Sequence, residues 1–162
     1  MKYLYLSYIV ENSVPVYGGR RSVDIKNIKS FDKGDSTNIF SFEMGNHCGT
    51  HIDCPNHFFK EGLKVADYFA DTWFFNKPFV LNITLSENQI VSPEAIGEIP
   101  DKTDLLLVKS GFSSVRGMEK YINNNPGFSP ETGLSLREKY PSIRAIGFDF
   151  ISLSPYQDRE VG

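Results

Sequence analysis

Gly49 and Pro55 bracket the stretch that holds every histidine of this chain, and they limit what that stretch can become. The window reads His47-Cys48-Gly49-Thr50-His51-Ile52-Asp53-Cys54-Pro55-Asn56-His57, and all three histidines of the chain lie inside it. A regular helix would bring His47 and His51 together but turn Asp53 to another face, and both Gly49 and Pro55 disfavour a helix. In an extended chain, positions 47, 51, 53 and 57 share parity and project to one face, while Ile52 points the other way into a core. The spacing therefore predicts a strand with irregular backbone at Gly49 and Pro55. Such irregularities let distant residues of one strand converge.

Imidazole and carboxylate together are a donor set that zinc or manganese accepts. A catalytic metal takes about three protein ligands and keeps one position open for water. His47, His51 and Asp53 supply three, and His57 is left close by to take up or donate a proton. That constellation suits a hydrolase. The same residues also suit hydrogen-bonded core histidines or a purely structural metal clip. Cys48 and Cys54 lie in the window too. Two thiols are too few for a disulfide framework. They read either as small buried side chains or as a soft ligand or redox-sensitive neighbour of the site.

The remaining composition narrows the field. With 162 residues, the chain is long enough for one domain, 1–162, with a sizeable core. A net charge of -3 and the lack of a basic run argue against nucleic acid or an anionic membrane as partner. No apolar stretch approaches the roughly 18 residues of a spanning helix. A small-molecule substrate and a cytoplasmic location are the expectations.

Along the chain, residues 3–10 read as a first strand, and 12–21 as a loop containing Pro15, Gly18 and Gly19. Residues 23–29 and 37–44 alternate apolar and polar positions as strands do, with a turn signal at Asp32-Lys33-Gly34-Asp35 between them. Residues 63–69 read as the start of a helix or as a loop over the site. Strands are predicted over 77–83, 104–109 and 145–149. Ser92-Pro93-Glu94 and Ser129-Pro130-Glu131 each carry an N-cap, a first-turn proline and an acidic residue, so a helix follows each. Strands followed by alternating strand and helix predict a mixed α/β class with a mostly β core and few helices.

The stretch Asn46 to Phe58 resembles the signature of the cyclase-like metal hydrolases, which include bacterial kynurenine formamidases and isatin hydrolases. Their pattern is H-x-G-T-H-x-D-x-P-x-H-F, and every fixed position is met here. Val14 to Gly19, Leu106 to Phe112, and Ala145 to Asp149 with Ser152 resemble further family segments, so the likeness covers nearly the whole chain. The resemblance implies a swivelling β/β/α fold and a homodimer or homotetramer. It implies hydrolysis by a metal-activated water of an amide, with an aryl formamide such as N-formylkynurenine leading and a cyclic amide or lactone next. His47, His51 and Asp53 match the family's metal ligands for one or two zinc or manganese ions, and His57 matches its proton-transfer histidine. The resemblance also implies a further His and Glu ligand past the equivalent of Arg159-Glu160-Val161-Gly162, where this chain ends. A one-metal variant, a truncated product and a non-catalytic metal-binding remnant are the readings that follow from that departure.

Other residues carry weaker signals. Trp73, Phe74 and Phe75 suit either an aromatic pocket wall or core packing. Ser110 and Gly111 suit either a hydroxyl and N–H near the site or a strand-ending turn. Arg20 and Arg21 suit a substrate carboxylate or a solvated pair. Asp149 reads as a strand-end residue rather than a ligand. A serine-type hydrolase lacks the G-x-S-x-G elbow that would support it.

Overall fold

A computed structural model describes residues 5–19 and 23–158. Arg20, Arg21 and Glu160 lie outside the described residues. The chain divides into two compact units, Met1–Asp67 and Tyr68–Gly162.

The first unit is built on an antiparallel hairpin. Strand β1 (Val23–Lys29) pairs with β2 (Ile39–Met44), Val23 opposite Met44 and Ile25 opposite Phe42, with a register shift between Asn27 and Lys29. The predicted turn closes it. Ser30 Oγ accepts from the Asp32 N–H at 3.2 Å, Asp35 Oδ2 accepts from the Ser30 N–H at 2.9 Å, and Gly34 takes the left-handed conformation that ends the short 3-10 turn Phe31–Lys33. Asn12 binds both backbone groups of Ile25, accepting from its N–H at 2.7 Å and donating to its carbonyl at 3.3 Å. Among the described residues of this unit, Val14, Val23 and Cys48 form the buried apolar cluster.

The second unit has a core of the ordinary kind. Strands β3 (Pro78–Asn82), β5 (Leu105–Lys109) and β7 (Ala145–Phe148) form a parallel sheet in the order β3-β5-β7. The central β5 reads LLLVK, and its Leu106 and Val108 are buried. Leu105 and Leu107, on the opposite face of the strand, are half-buried. A two-residue parallel ladder joins β4 (Ile90–Val91) to β6 (Gly127–Phe128). Among the described residues, the α-helices of the unit are α1 (Pro93–Ile96), α2 (Glu119–Asn123) and α3 (Pro130–Lys139). The predicted cap of α3 is present, with Ser129 Oγ accepting from the Thr132 N–H at 3.3 Å. Gly127 has no room for a side chain, because a Cβ there would collide with the Ser154–Pro155 backbone. The mixed α/β class with few helices is borne out.

Two predicted strands differ. Residues 5–10 run without a strand ladder, and Tyr5, Leu6 and Ile9 are exposed. Aromatic and β-branched residues favour a strand only where a neighbouring strand accepts their hydrogen bonds, and none among the described residues pairs with this segment. The histidine window is not a strand either. It is a turn at Asn46 and His47, a bend through Thr50, unpaired chain to Cys54, and a 3-10 turn over Pro55–His57. Residues 63–69 form a 3-10 turn, Val65–Asp67, in place of a longer helix. Among the described residues, no helix is long and apolar enough to cross a membrane.

Candidate metal centre

The histidines converge by chain reversal, not by strand parity. Strand β2 ends at Met44, and Gly49 then takes φ +66°, a left-handed conformation that costs glycine little and other residues more. The reversal folds His51 and Asp53 back against His47. Pro55 then starts the short turn that carries His57. The turn is closed from within. The Asn56 N–H donates to the Leu63 carbonyl at 3.1 Å and its side chain donates to the Lys60 carbonyl at 3.2 Å.

The result brings one donor atom from each of His47, His51 and Asp53 within 4.8 Å of the others. Ligand atoms around a tetrahedral ion with bonds of about 2.1 Å stand roughly 3.4 Å apart, so about an ångström of side-chain movement would close the three onto an ion. Two nitrogens and a carboxylate oxygen also match the ligand preferences of zinc and manganese.

The hydrogen bonds assign the rings. Asn46 Nδ2 lies 3.0 Å from His47 Nε2, and His47 Nδ1 lies 2.8 Å from Asp53 Oδ1. As a ligand His47 turns an unprotonated Nδ1 to the ion, which puts its proton on Nε2, where the Asn46 side-chain amide accepts it once turned to present its oxygen. His51 Nδ1 lies 3.0 Å from the Gly49 carbonyl and donates to it, which leaves Nε2 as the nitrogen turned toward Asp53 Oδ2, 3.5 Å away. A cation between these two atoms would be ligated by both. A histidine steadied through its far nitrogen by a backbone carbonyl is the usual support of a metal ligand.

His57 stands beside this set. Its ring centroid is 3.9 Å from that of His47, tilted by 39°, and Phe58 meets it edge-on at 4.3 Å. The cysteines divide in role. Cys48 is buried with Val14 and Val23. Burial, with the Asp53 and Asp67 charges adding to it, pushes the Cys54 thiol up, away from the thiolate form that ligates metals.

Residues 4–155 match the Cyclase family model, described as "Putative cyclase", across both compact units. The chain belongs to the Cyclase family. A kynurenine formamidase from Bacillus anthracis is 27% identical over 165 residues, covering 99% of this Cyclase-family chain and 74% of that protein. Isatin hydrolase A from Ralstonia solanacearum superposes with a TM-score of 0.73 at 18% identity, over 93% of this chain and 67% of that one. A structure described as a potential metal-dependent hydrolase with cyclase activity gives 0.71 at 17% identity, over 94% and 69%. At these identities the superpositions show the fold.

Other residues singled out from the sequence of this Cyclase-family chain have structural employment. Asp149, just past β7, accepts from the Ser110 N–H at 2.8 Å, the Gly111 N–H at 3.0 Å, Ser113 Oγ at 3.2 Å and Ser110 Oγ. The Ser110–Gly111 turn is thus a strand-ending turn held by a carboxylate, and its two N–H groups are already committed. Trp73, Phe74 and Phe75 do not join the buried core. Trp73 meets Tyr68 edge-on at 5.4 Å, Phe74 is exposed, and Phe75 lies 4.7 Å beneath Arg144. Arg144 also donates to the Thr72 and Phe74 carbonyls at 2.6 Å each. Asn46 and the Gly49 carbonyl, which orient two of the three converging side chains, carry no chemical signal in the sequence beyond turn residues beside histidines.

Proposed function

We propose that this chain is a metal-dependent hydrolase that cleaves the amide C–N bond of an aryl formamide such as N-formylkynurenine. The observation that carries the reading is the facing of His51 Nε2 and Asp53 Oδ2 at 3.5 Å with His47 closing the set. Kinship with a kynurenine formamidase across 99% of the chain supports the substrate class. His47, His51 and Asp53 would hold a zinc or manganese ion. When bound, such an ion supplies Lewis-acid polarisation of a carbonyl and a water nucleophile near neutral pH.

The chain's own residues do the rest. The Gly49 carbonyl holds the His51 proton on Nδ1, so its other nitrogen stays a donor to the ion. Asn46 steadies His47 from the side away from Asp53. His57, exposed and outside the converging donor set, would act as the proton-transfer group. It takes a proton from the nucleophile and returns it to the leaving aryl amine nitrogen. Phe58, packed against His57 and exposed, offers an apolar edge to an aromatic substrate.

The test is elemental analysis of protein purified without chelator, paired with an absorbance assay on an aryl formamide. About one or two zinc or manganese ions per chain, and turnover that a chelator abolishes and the metal restores, are expected. Undiminished turnover with the metal stripped would overturn the reading.

A further inference from the structure

His57 is held differently from the other two histidines. Asn46 and the Gly49 carbonyl orient His47 and His51 by hydrogen bonds. His57 is exposed and is met by rings, with the His47 centroid at 3.9 Å and that of Phe58 at 4.3 Å. Where its imidazole stands therefore depends on the backbone that carries it. A proton-transfer group must come within about 3 Å of the atom it serves, so that placement matters.

The backbone around His57 is a closed loop. The Asn56 N–H donates to the Leu63 carbonyl at 3.1 Å, which ties the two ends together. Inside, the Phe58 and Phe59 N–H groups donate to the Pro55 carbonyl at 3.1 and 2.9 Å, and the Gly62 N–H donates to the Phe59 carbonyl at 2.8 Å. At the exit, the Lys64 N–H donates to Asp67 Oδ2 at 2.8 Å. Loops whose ends meet and which are packed by their own atoms are frequently functional.

Gly62 is what lets this loop close. A Cβ there would lie 2.4 Å from the Pro55 carbonyl carbon and 2.6 Å from both the Pro55 oxygen and the Asn56 nitrogen. All three atoms belong to the Pro55–Asn56 peptide, directly ahead of His57, and no side-chain rotation relieves a collision with backbone. Gly62 does not take a left-handed φ, so space alone demands the glycine.

We propose that Gly62 is a positioning residue for His57: its bare backbone packs on the Pro55–Asn56 peptide and so sets the imidazole beside His47. The catalytic consequence rests on the reading of His57 as the proton-transfer group. Carbon atoms in contact stand about 3.5 Å apart, so a Cβ at position 62 drives the peptide back by about 1 Å. A displacement of that size at a reacting group costs on the order of 100-fold in rate.

Two readouts on the full chain test this at equal zinc content, and one of them needs no turnover. The chain has three histidines, so each ring resonance is assignable by substitution. The wild type should show a nuclear Overhauser effect between the His57 and His47 rings, and Gly62→Ala should weaken it severalfold. In the aryl formamide assay, Gly62→Ala should lower kcat about 100-fold with KM nearly unchanged. In a His57→Ala background the same substitution should change kcat by less than about threefold, because the group it misplaces is gone. An equal loss in both backgrounds marks a merely structural defect and overturns the proposal. So does a Gly62→Ala protein that keeps the full Overhauser effect and full kcat. A wild type without turnover sinks the assigned reaction instead. The Overhauser effect then decides alone, its weakening in Gly62→Ala supporting the placement and its persistence overturning it. If circular dichroism shows Gly62→Ala unfolded, Asn56→Ala replaces it, removing the side-chain bond to the Lys60 carbonyl. The expected loss of kcat is then about tenfold with His57 present and absent without it, an equal loss again counting against the proposal.

Discussion

The two units put their side chains to opposite use. The second unit, Tyr68–Gly162, carries the larger core: ten buried apolar residues cluster around a three-stranded parallel sheet. Its polar groups are spent on structure. Asp149 holds the turn after β5, Asp104 accepts from the Asn76 and Lys77 N–H groups at 2.7 and 2.8 Å, and Arg144 clamps the chain at Thr72 and Phe74. Among its described residues the first unit clusters three buried apolar side chains, but it holds all the histidines and the converging donor set. The side chains of His47, His51 and Asp53 are only partly buried, and their polar atoms converge on one another rather than on the core. Chemistry and core are therefore built from different stretches of the sequence.

That division can be broken from either side. The largest effect is expected from His51→Ala, which removes one of three donors. Metal affinity should fall by more than the 10–100-fold typical of lost outer supports. The denaturation midpoint of the second unit should hardly move, which elemental analysis and chemical unfolding on the same sample would check. A large loss of the second unit's stability would show that the units are not independent in this sense. His57→Ala should lower turnover by about 10²–10⁴-fold while metal content stays at the wild-type level. Metal loss in that variant would make His57 a ligand and redraw the site.

Leu106→Ala works from the other side. Leu106 is fully buried in the centre of the sheet. The change should cost about 2–5 kcal/mol in urea unfolding while metal content per folded chain is unchanged. Asn46→Ala is subtler. It removes the support of His47 Nε2, and about a 10-fold loss of metal affinity with unaltered stability is expected from competition with a chelating dye.

The smallest effect concerns pH. Burial acts to raise the Asp104 carboxyl, but the Asn76 and Lys77 N–H groups and the Arg144 charge outweigh it and hold it below the usual carboxylate range. A carboxylate with a lowered value in the fold contributes stability above the unfolded value of about 3.9. That contribution is lost as pH falls through the folded value. The wild type should therefore lose stability on acidification below about pH 4, and Asp104→Asn should flatten that part of the curve. An unchanged slope in the variant would remove Asp104 from the acid response.

Much of this was legible in the residues. The two Ser-Pro-Glu starts name the first turns of α1 and α3, because a fixed proline φ acts within a few residues, although the side-chain cap forms at Ser129 and not at Ser92. The LLLVK run names the central strand, whose Leu106 and Val108 are buried and whose Leu105 and Leu107 are half-buried. The histidines, their spacing and the acid between them name the donor set, because ligand chemistry belongs to the side chains alone. Residues 5–10 misled for the matching reason: a strand exists only with a partner, and composition does not say whether one is present.

How the donor set converges was decided by tertiary structure. Parity along an extended chain and reversal at a left-handed glycine both bring same-face residues together, and the spacing alone does not separate them. The Gly49 conformation does, and with it come the two contacts that orient the site, Gly49 O to His51 and Asn46 to His47. The reach of Asp149 to Ser110, 39 positions back, is likewise invisible until β5 and β7 lie side by side. Local chemistry is written in neighbouring residues. Which lone pairs face one another depends on backbone turns and strand neighbours, and those are fixed only when the whole chain packs.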